Sequence, residues 1–259
     1  MCGIFGFNWE DKSLLLSGLK EIAHRGPDGS GTLIKKGVSI GHARLAIIDI
    51  SSAGRQPMSN EDGSVWITFN GEIYNYKELK QSLKQKHNFI SDSDTEVMLH
   101  LYEEDGPEFV KKLQGMFAFC IYDLKRNSLI IGRDRIGKKP LYYYSNGKKL
   151  IFASEIKSIL KEKSVKVSLN TGALPTYLAF RANTTENTFF DKIKKLMPGS
   201  LLKYDLANNK IKLEKYWEIN LSPGNLTEES YIKRVKDLLE DSVKSRLISD
   251  VPLGAYLSG

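Results

Sequence analysis

Cysteine is scarce in this sequence. Cys2 and Cys120 are the only two among 259 residues, too few for a disulfide framework. Histidine is scarce as well. His24, His42, His87 and His100 show no HxxxH spacing and no CxxC stands near them, so no metal site is expected. No apolar run approaches the ~20 residues of a membrane span, and no basic-then-apolar leader stands at the start. A cytoplasmic protein with no membrane partner is therefore expected. The formal net charge is +7, but the basic residues fall in scattered pairs such as Lys35-Lys36, Lys138-Lys139 and Lys194-Lys195. No stripe or nucleic-acid motif accompanies them, so we expect a solvated surface and no nucleic-acid partner.

What is present is a globular composition, 41% apolar and 27% charged, long enough for one large domain and part of a second. Short β-like runs occur at Ile4–Phe7, Leu45–Ile48, Val65–Phe69, Phe117–Tyr122, Leu129–Ile131, Leu141–Tyr144 and Leu150–Ala153. Several are apolar on both faces, as strands buried between layers would be. Helices are predicted over Leu14–Ala23, Tyr76–Gln85 behind Asn75, and Thr95–Glu104 behind Ser93 or Asp94. Many strands with inserted helices and no βαβ rhythm predict a layered α+β domain. Farther on, Asn208-Asn209 between two β-like runs signals a hairpin, and Ser222-Pro223-Gly224-Asn225 reads as a linker. Tyr231, Val235, Leu238, Leu239, Val243 and Leu247 then form the stripe of an amphipathic helix starting near Thr227. The last residues, Val251 to Gly259, look like a strand entering a phosphate-binding loop, so a fragment of a longer protein is expected.

The chemistry gathers around Cys2. Removal of Met1 would leave a cysteine whose thiolate is a nucleophile and whose own α-amine is a base. An α-amine titrates near ~7.7–8.0 and a thiol near ~8.5, a workable match at neutral pH. Cys120, within the apolar run Met116–Ile121, reads instead as core. His24-Arg25-Gly26-Pro27-Asp28-Gly29-Ser30-Gly31 is a charged glycine-rich loop, or simply an ordered turn. Arg44, beside the run Leu45–Ile48, would either grip a carboxylate or pair with Asp49. Asn70-Gly71 is either a tight hairpin turn or a donor pair for an oxyanion. Ser91-Asp92-Ser93-Asp94-Thr95-Glu96 heads a helix, with Ser93 or Asp94 capping it.

These clusters occur in order with Gln56-Pro57-Met58, Gly115–Phe119, Gly132–Gly137, Lys139–Tyr143 and Phe152–Glu155. Together they resemble the N-terminal glutaminase domain of the glutamine-hydrolysing asparagine synthetases. Ser249–Gly259 resembles the start of that family's ATP-pyrophosphatase domain. The resemblance implies an Ntn-hydrolase αββα sandwich over residues 2–205, followed over 206–259 by a connecting hairpin, a helix and the beginning of an α/β synthetase domain. It implies that Cys2 attacks glutamine to form a γ-glutamyl thioester and release ammonia. It further implies that Arg44 holds the substrate α-carboxylate, that Glu72 and Asp94 receive the α-ammonium, and that Asn70 and Gly71 form the oxyanion hole. It implies no cofactor for the glutaminase half. In a full-length parent, ATP and Mg²⁺ would serve amidation of aspartate, with Leu257, Ser258 and Gly259 at the ATP site and a homodimer as the family's assembly. The family loop continues as Gly-x-Asp-Ser, beyond these residues, so the expected activity of the chain is glutamine hydrolysis alone. Two alternatives stay open: a relative that amidates another carboxylate, such as a cell-surface sugar acid, or a non-catalytic remnant of the fold.

Overall fold

Strand side chains that are apolar on both faces decide the layering. The computed structural model describes residues 1–256; the expected nucleotide-binding residues Leu257, Ser258 and Gly259 lie outside the described residues. The chain begins with β1 (Gly3–Phe7), α1 (Lys12–Glu21), β2 (Gly29–Lys35), β3 (Val38–Arg44), β4 (Met58–Ser59) and β5 (Val65–Ile73). Helices α2 (Tyr76–Leu83) and α3 (Asp94–Asp105) follow, then β6 (Gly115–Asp123), β7 (Ser128–Arg133), β8 (Tyr142–Ser145) and β9 (Leu150–Ala153). The remainder is α4 (Ile156–Ile159), α5 (Leu174–Phe180), β10 (Ile193–Lys195), β11 (Ser200–Asp205), β12 (Lys210–Lys215) and α6 (Glu228–Ser245).

Two six-stranded antiparallel sheets form, ordered β10-β8-β9-β1-β3-β2 and β12-β11-β7-β6-β5-β4. Because successive strand residues point to opposite faces, each sheet supplies two apolar surfaces. Ile4, Ile40, Leu150 and Phe152 of the first sheet meet Ala118, Cys120, Tyr122 and Leu202 of the second. Phe5 and Phe7 turn the other way, onto Leu15, Leu19 and Ile22 of the α1 region. Phe117, Phe119 and Ile121 likewise pack on Val97, Leu101 and Tyr102 of α3. Apolar contacts thus join helix to sheet, sheet to sheet and sheet to helix, the αββα sandwich expected. A fully buried large side chain of this kind contributes ~1.5–3 kcal/mol, and Cys120 is one of the buried residues.

Local chemistry places the helix starts. The Asp11 carboxylate accepts the Leu14 N–H at 2.8 Å before α1, and Ser93 accepts the Thr95 N–H at 3.2 Å before α3. Asn75 precedes α2 without capping it. Its amide instead donates to the Lys112 carbonyl at 3.0 Å and accepts from the Gln114 N–H at 2.9 Å. At the other end, the Asn208-Asn209 turn joins β11 to β12, which closes one edge of the second sheet.

Three sequence expectations need correction. Leu45–Ile48 is irregular, and the strand of that region is β3, just before it. Side-chain bonds hold the loop instead: Asp28 accepts the Ala46 N–H at 2.8 Å and Asp250 accepts the Asp49 N–H at 2.7 Å. The second half of the glycine-rich His24–Gly31 loop is the start of β2, paired in register Gly29↔Arg44. Asn70-Gly71 is no turn. Both residues lie within β5, opposite Ala118 and Phe117 of β6.

Candidate active site

Cys2 stands just ahead of β1, where its surroundings hold it firmly. Its Sγ accepts the Leu45 N–H at 3.3 Å and lies 3.4 Å from the Leu45 carbonyl. The Arg25 guanidinium donates to the Cys2 carbonyl at 2.9 Å and to Glu155 at 2.9 Å, which ties the chain start to the end of β9. Burial pushes the thiol up from its ordinary pKa, against the Leu45 N–H and the nearby Lys139 ammonium, which favour the thiolate. Burial also lowers the α-amine, here carried by Met1.

Cys2, Arg44, Asn70, Gly71, Glu72 and Asp94 all line one cavity of about 550 Å³ including its open mouth. The six residues singled out for the glutaminase site therefore converge, although they come from the chain start, β3, β5 and α3.

The wall formed by β5 is the decisive part. On its free edge the Phe69 N–H donates to the Gln56 side chain at 2.6 Å, and the Ile73 N–H donates to the Asp94 carboxylate at 2.9 Å. Alternation along an antiparallel strand puts the Gly71 N–H on that same edge, between them. A Cβ at Gly71 would lie 2.2 Å from the Met116 carbonyl and 2.8 Å from the Phe117 Cα, so the close approach of β6 admits only glycine. Next to it, Asn70 is fully buried, yet neither its Oδ1 nor its Nδ2 has a hydrogen-bond partner among the described residues. An unpaired buried amide costs ~1–3 kcal/mol, and both its atoms are free to meet a ligand.

Carboxylates and cations surround this edge. Asp94, the first residue of α3, is buried, and burial pushes its pKa up to about 7, assisted by the neighbouring Glu72 charge and opposed by the Ile73 N–H. Burial raises Glu72 too, with Lys139 opposing. Arg44 does not pair with the Asp49 carboxylate. Its guanidinium donates to two main-chain carbonyls, those of Asp49 and of Ser51, the latter at 2.8 Å. That leaves three of its five N–H groups for a ligand. The Asp49 carboxylate meets the Ser51 and Asp92 N–H groups instead.

Three cavity residues were not singled out from the sequence. Lys139 is buried and its amine is lowered by burial, while the Glu72 and Cys2 charges raise it. A loop holds it in place: Asp134 accepts the Lys138 and Lys139 N–H groups, both at 2.9 Å, and Arg133 donates to the Lys139 carbonyl at 2.7 Å. Gln56 bridges β5 to α3 by donating to Thr95 at 3.0 Å. His42, brought down to about 3 by burial, donates from Nε2 to the Phe69 carbonyl at 3.0 Å and so joins β3 to β5. Motifs containing Lys139 and Gln56 were visible, but no local feature separates this lysine from the other basic residues, 38 lysines and arginines in all.

Known proteins are similar to this chain in sequence and in fold. Residues 1–217 match the model of the glutamine amidotransferase domain, and residues 234–259 match that of asparagine synthase. The whole chain aligns at 39% identity with asparagine synthetase (glutamine-hydrolyzing) 1 of Bacillus subtilis, covering 42% of that protein. It aligns at 35% identity with asparagine synthetase B (glutamine-hydrolyzing) of Escherichia coli, covering 43%. The chain thus spans less than half the length of these two relatives. Among solved structures, the glutamine phosphoribosylpyrophosphate amidotransferase of B. subtilis superposes with a TM-score of 0.61 at 23% identity, over 85% of this chain and 50% of that one; this likeness is one of fold. With the six converging residues and a match over residues 1–217, the chain belongs to the glutamine amidotransferase domain family.

Proposed function

We propose that this chain hydrolyses glutamine to glutamate and ammonia through a thioester on Cys2. The buried and unpartnered Asn70 amide, beside the free-edge Gly71 N–H, carries the reading. Such a pair suits the oxyanion formed when a carbonyl is attacked, and loss of one donor of this kind costs ~10²–10³ in rate.

After removal of Met1, the Cys2 α-amine takes the thiol proton. Sγ attacks the side-chain amide carbon, the C–N bond breaks, and the nitrogen leaves as ammonia with the proton returned by the amine. Water then cleaves the thioester to glutamate and restores the thiol. Arg44 grips the α-carboxylate with its free N–H groups, while Glu72 and Asp94 receive the α-ammonium. Lys139 favours the thiolate through its charge.

The longer reading rests on the relatives' names and the match over 234–259. In a full-length protein, a glutaminase domain over 2–205 would pass ammonia to a unit beginning over 206–259. That unit would use ATP and Mg²⁺ to amidate aspartate, as a homodimer in the cytoplasm; the free thiols of Cys2 and Cys120 suit a reducing compartment. No helix of the described residues is long and apolar enough to cross a membrane.

Purified chain should release ammonia from glutamine, with mass spectrometry showing a free Cys2 amine, and Cys2→Ala should abolish release. Activity in Cys2→Ala, or in protein that retains Met1, would sink the mechanism.

A further inference from the structure

Away from the catalytic cavity, four side chains of ligand type meet where the β4–β5 connection, the loop after α2 and helix α3 come together. Glu61, His87, His100 and Glu103 each place one donor atom so that all four lie within 4.8 Å of one another. The two imidazoles stack with centroids 4.3 Å apart. One Glu103 oxygen lies between their near nitrogens, 2.8 Å from Nδ1 of His100 and 3.7 Å from Nδ1 of His87. The other Glu103 oxygen accepts the Asn60 amide at 2.6 Å, which fixes the carboxylate's aim.

The far nitrogens are arranged just as consistently. Nε2 of His87 lies 3.2 Å from Glu104, and Nε2 of His100 lies 3.9 Å from Glu96. The Glu104 carboxylate bonded to His87 is the support that metal-binding histidines use to fix their tautomer and orientation, while Glu96 stands behind His100 beyond hydrogen-bond distance.

We propose that Glu61, His87, His100 and Glu103 form a binding site for one zinc-type divalent ion. Two imidazoles and two carboxylates suit tetrahedral zinc at bond lengths of ~2.0–2.2 Å. Calcium and magnesium instead need about six or more oxygens. Tetrahedral ligand atoms at those bond lengths stand about 3.3–3.6 Å apart, so the widest separations must shorten and the 2.8 Å His100–Glu103 contact must open, and the movable members are favourably placed. Glu61 is exposed on a turn and His87 sits on a loop, while His100 is buried in α3. The ion would staple the loop over residues 84–93 to α3. Glu96, facing His100, already holds that loop through the Ile90 and Ser91 N–H groups, each at 2.8 Å. The site is separate from glutamine hydrolysis and stands or falls without it.

The test uses the tag-free full chain carrying Cys2→Ala, which removes the catalytic thiol as a competing zinc ligand. After chelator treatment and dialysis, Zn²⁺ is titrated by calorimetry and by thermal melting. One ion per chain should bind and raise Tm, whereas Mg²⁺ and Ca²⁺ at equal concentration should not. Glu61→Gln alters an exposed turn and His87→Ala a loop outside α3, so they keep the test independent of the buried His100. Each should weaken zinc binding ~10–100-fold. Absence of saturable zinc binding overturns the proposal, as does unchanged affinity in both variants.

Discussion

Helices α3 and α6 are both capped by a hydroxyl side chain, Ser93 in the first and Thr227 in the second. Both also carry a regular supply of apolar residues. In α3, Val97, Leu101 and Tyr102 are at most 2% exposed, packed against Phe109 and Phe119. In α6, Val235, Leu238, Leu239 and Val243 remain 54–62% exposed. Capping and periodicity therefore specify that a helix forms, and tertiary partners decide what its apolar face contributes. The sandwich supplies those partners to α3, and with them a rigid base for Asp94 at its first turn. Nothing among the described residues covers the stripe of α6.

Variants on either side can break this contrast or sharpen it. The largest effect belongs to the sandwich: Phe119→Ala should cost about 3–5 kcal/mol of unfolding free energy by chemical denaturation, and a loss under about 1 kcal/mol would mean the α3 interface is not a true core. Asn70→Ala should lower kcat by roughly 10²–10³ with Tm unchanged or raised, because the amide it deletes is buried without partners. Normal turnover would remove Asn70 from the oxyanion site.

Asp94 links pH to both stability and binding. Between about pH 4, where an ordinary aspartate ionises, and its folded pKa of about 7, the native state keeps a proton that the unfolded chain releases. Stability should therefore fall as pH rises through that window, by roughly 1.4 kcal/mol for each pH unit. Asp94→Asn should flatten the fall while weakening glutamine binding, both measurable by denaturation and KM between the two pKa values. An unchanged slope would show that Asp94 ionises normally. The smallest effect is in α6, where Leu239→Ser should change stability by no more than about 0.5 kcal/mol. A larger loss would reveal a partner for that helix.

Much of this was legible in the sequence, for identifiable reasons. Ala118-Phe119-Cys120-Ile121 announces a strand buried on both faces because each face meets an apolar layer. Asn70, Gly71 and Asp94 could be singled out only through the family resemblance, because locally an amide beside glycine also reads as a turn and a carboxylate at a helix start as a cap. Strand β3 was hidden for the opposite reason. Ser39, Gly41 and His42 look like breaks, yet Ser39 donates to the Trp9 carbonyl at 2.7 Å and His42 to that of Phe69 at 3.0 Å. The Ser39 hydroxyl and His42 Nε2 find partners 30 and 27 positions away, which no local pattern can display. The same applies to Glu61, His87, His100 and Glu103, whose grouping exists only after β5, the α2 loop and α3 have packed.

Asp250 gives the cavity rim a second owner. Its carboxylate takes the Asp49 N–H at 2.7 Å and its own N–H reaches the Ile47 carbonyl at 2.9 Å, the first of these across 201 residues of chain. Asp49 in turn lends its carbonyl to Arg44. The residue that anchors glutamine in the proposed mechanism thus takes one of its two main-chain supports from a loop tied to the segment that follows α6.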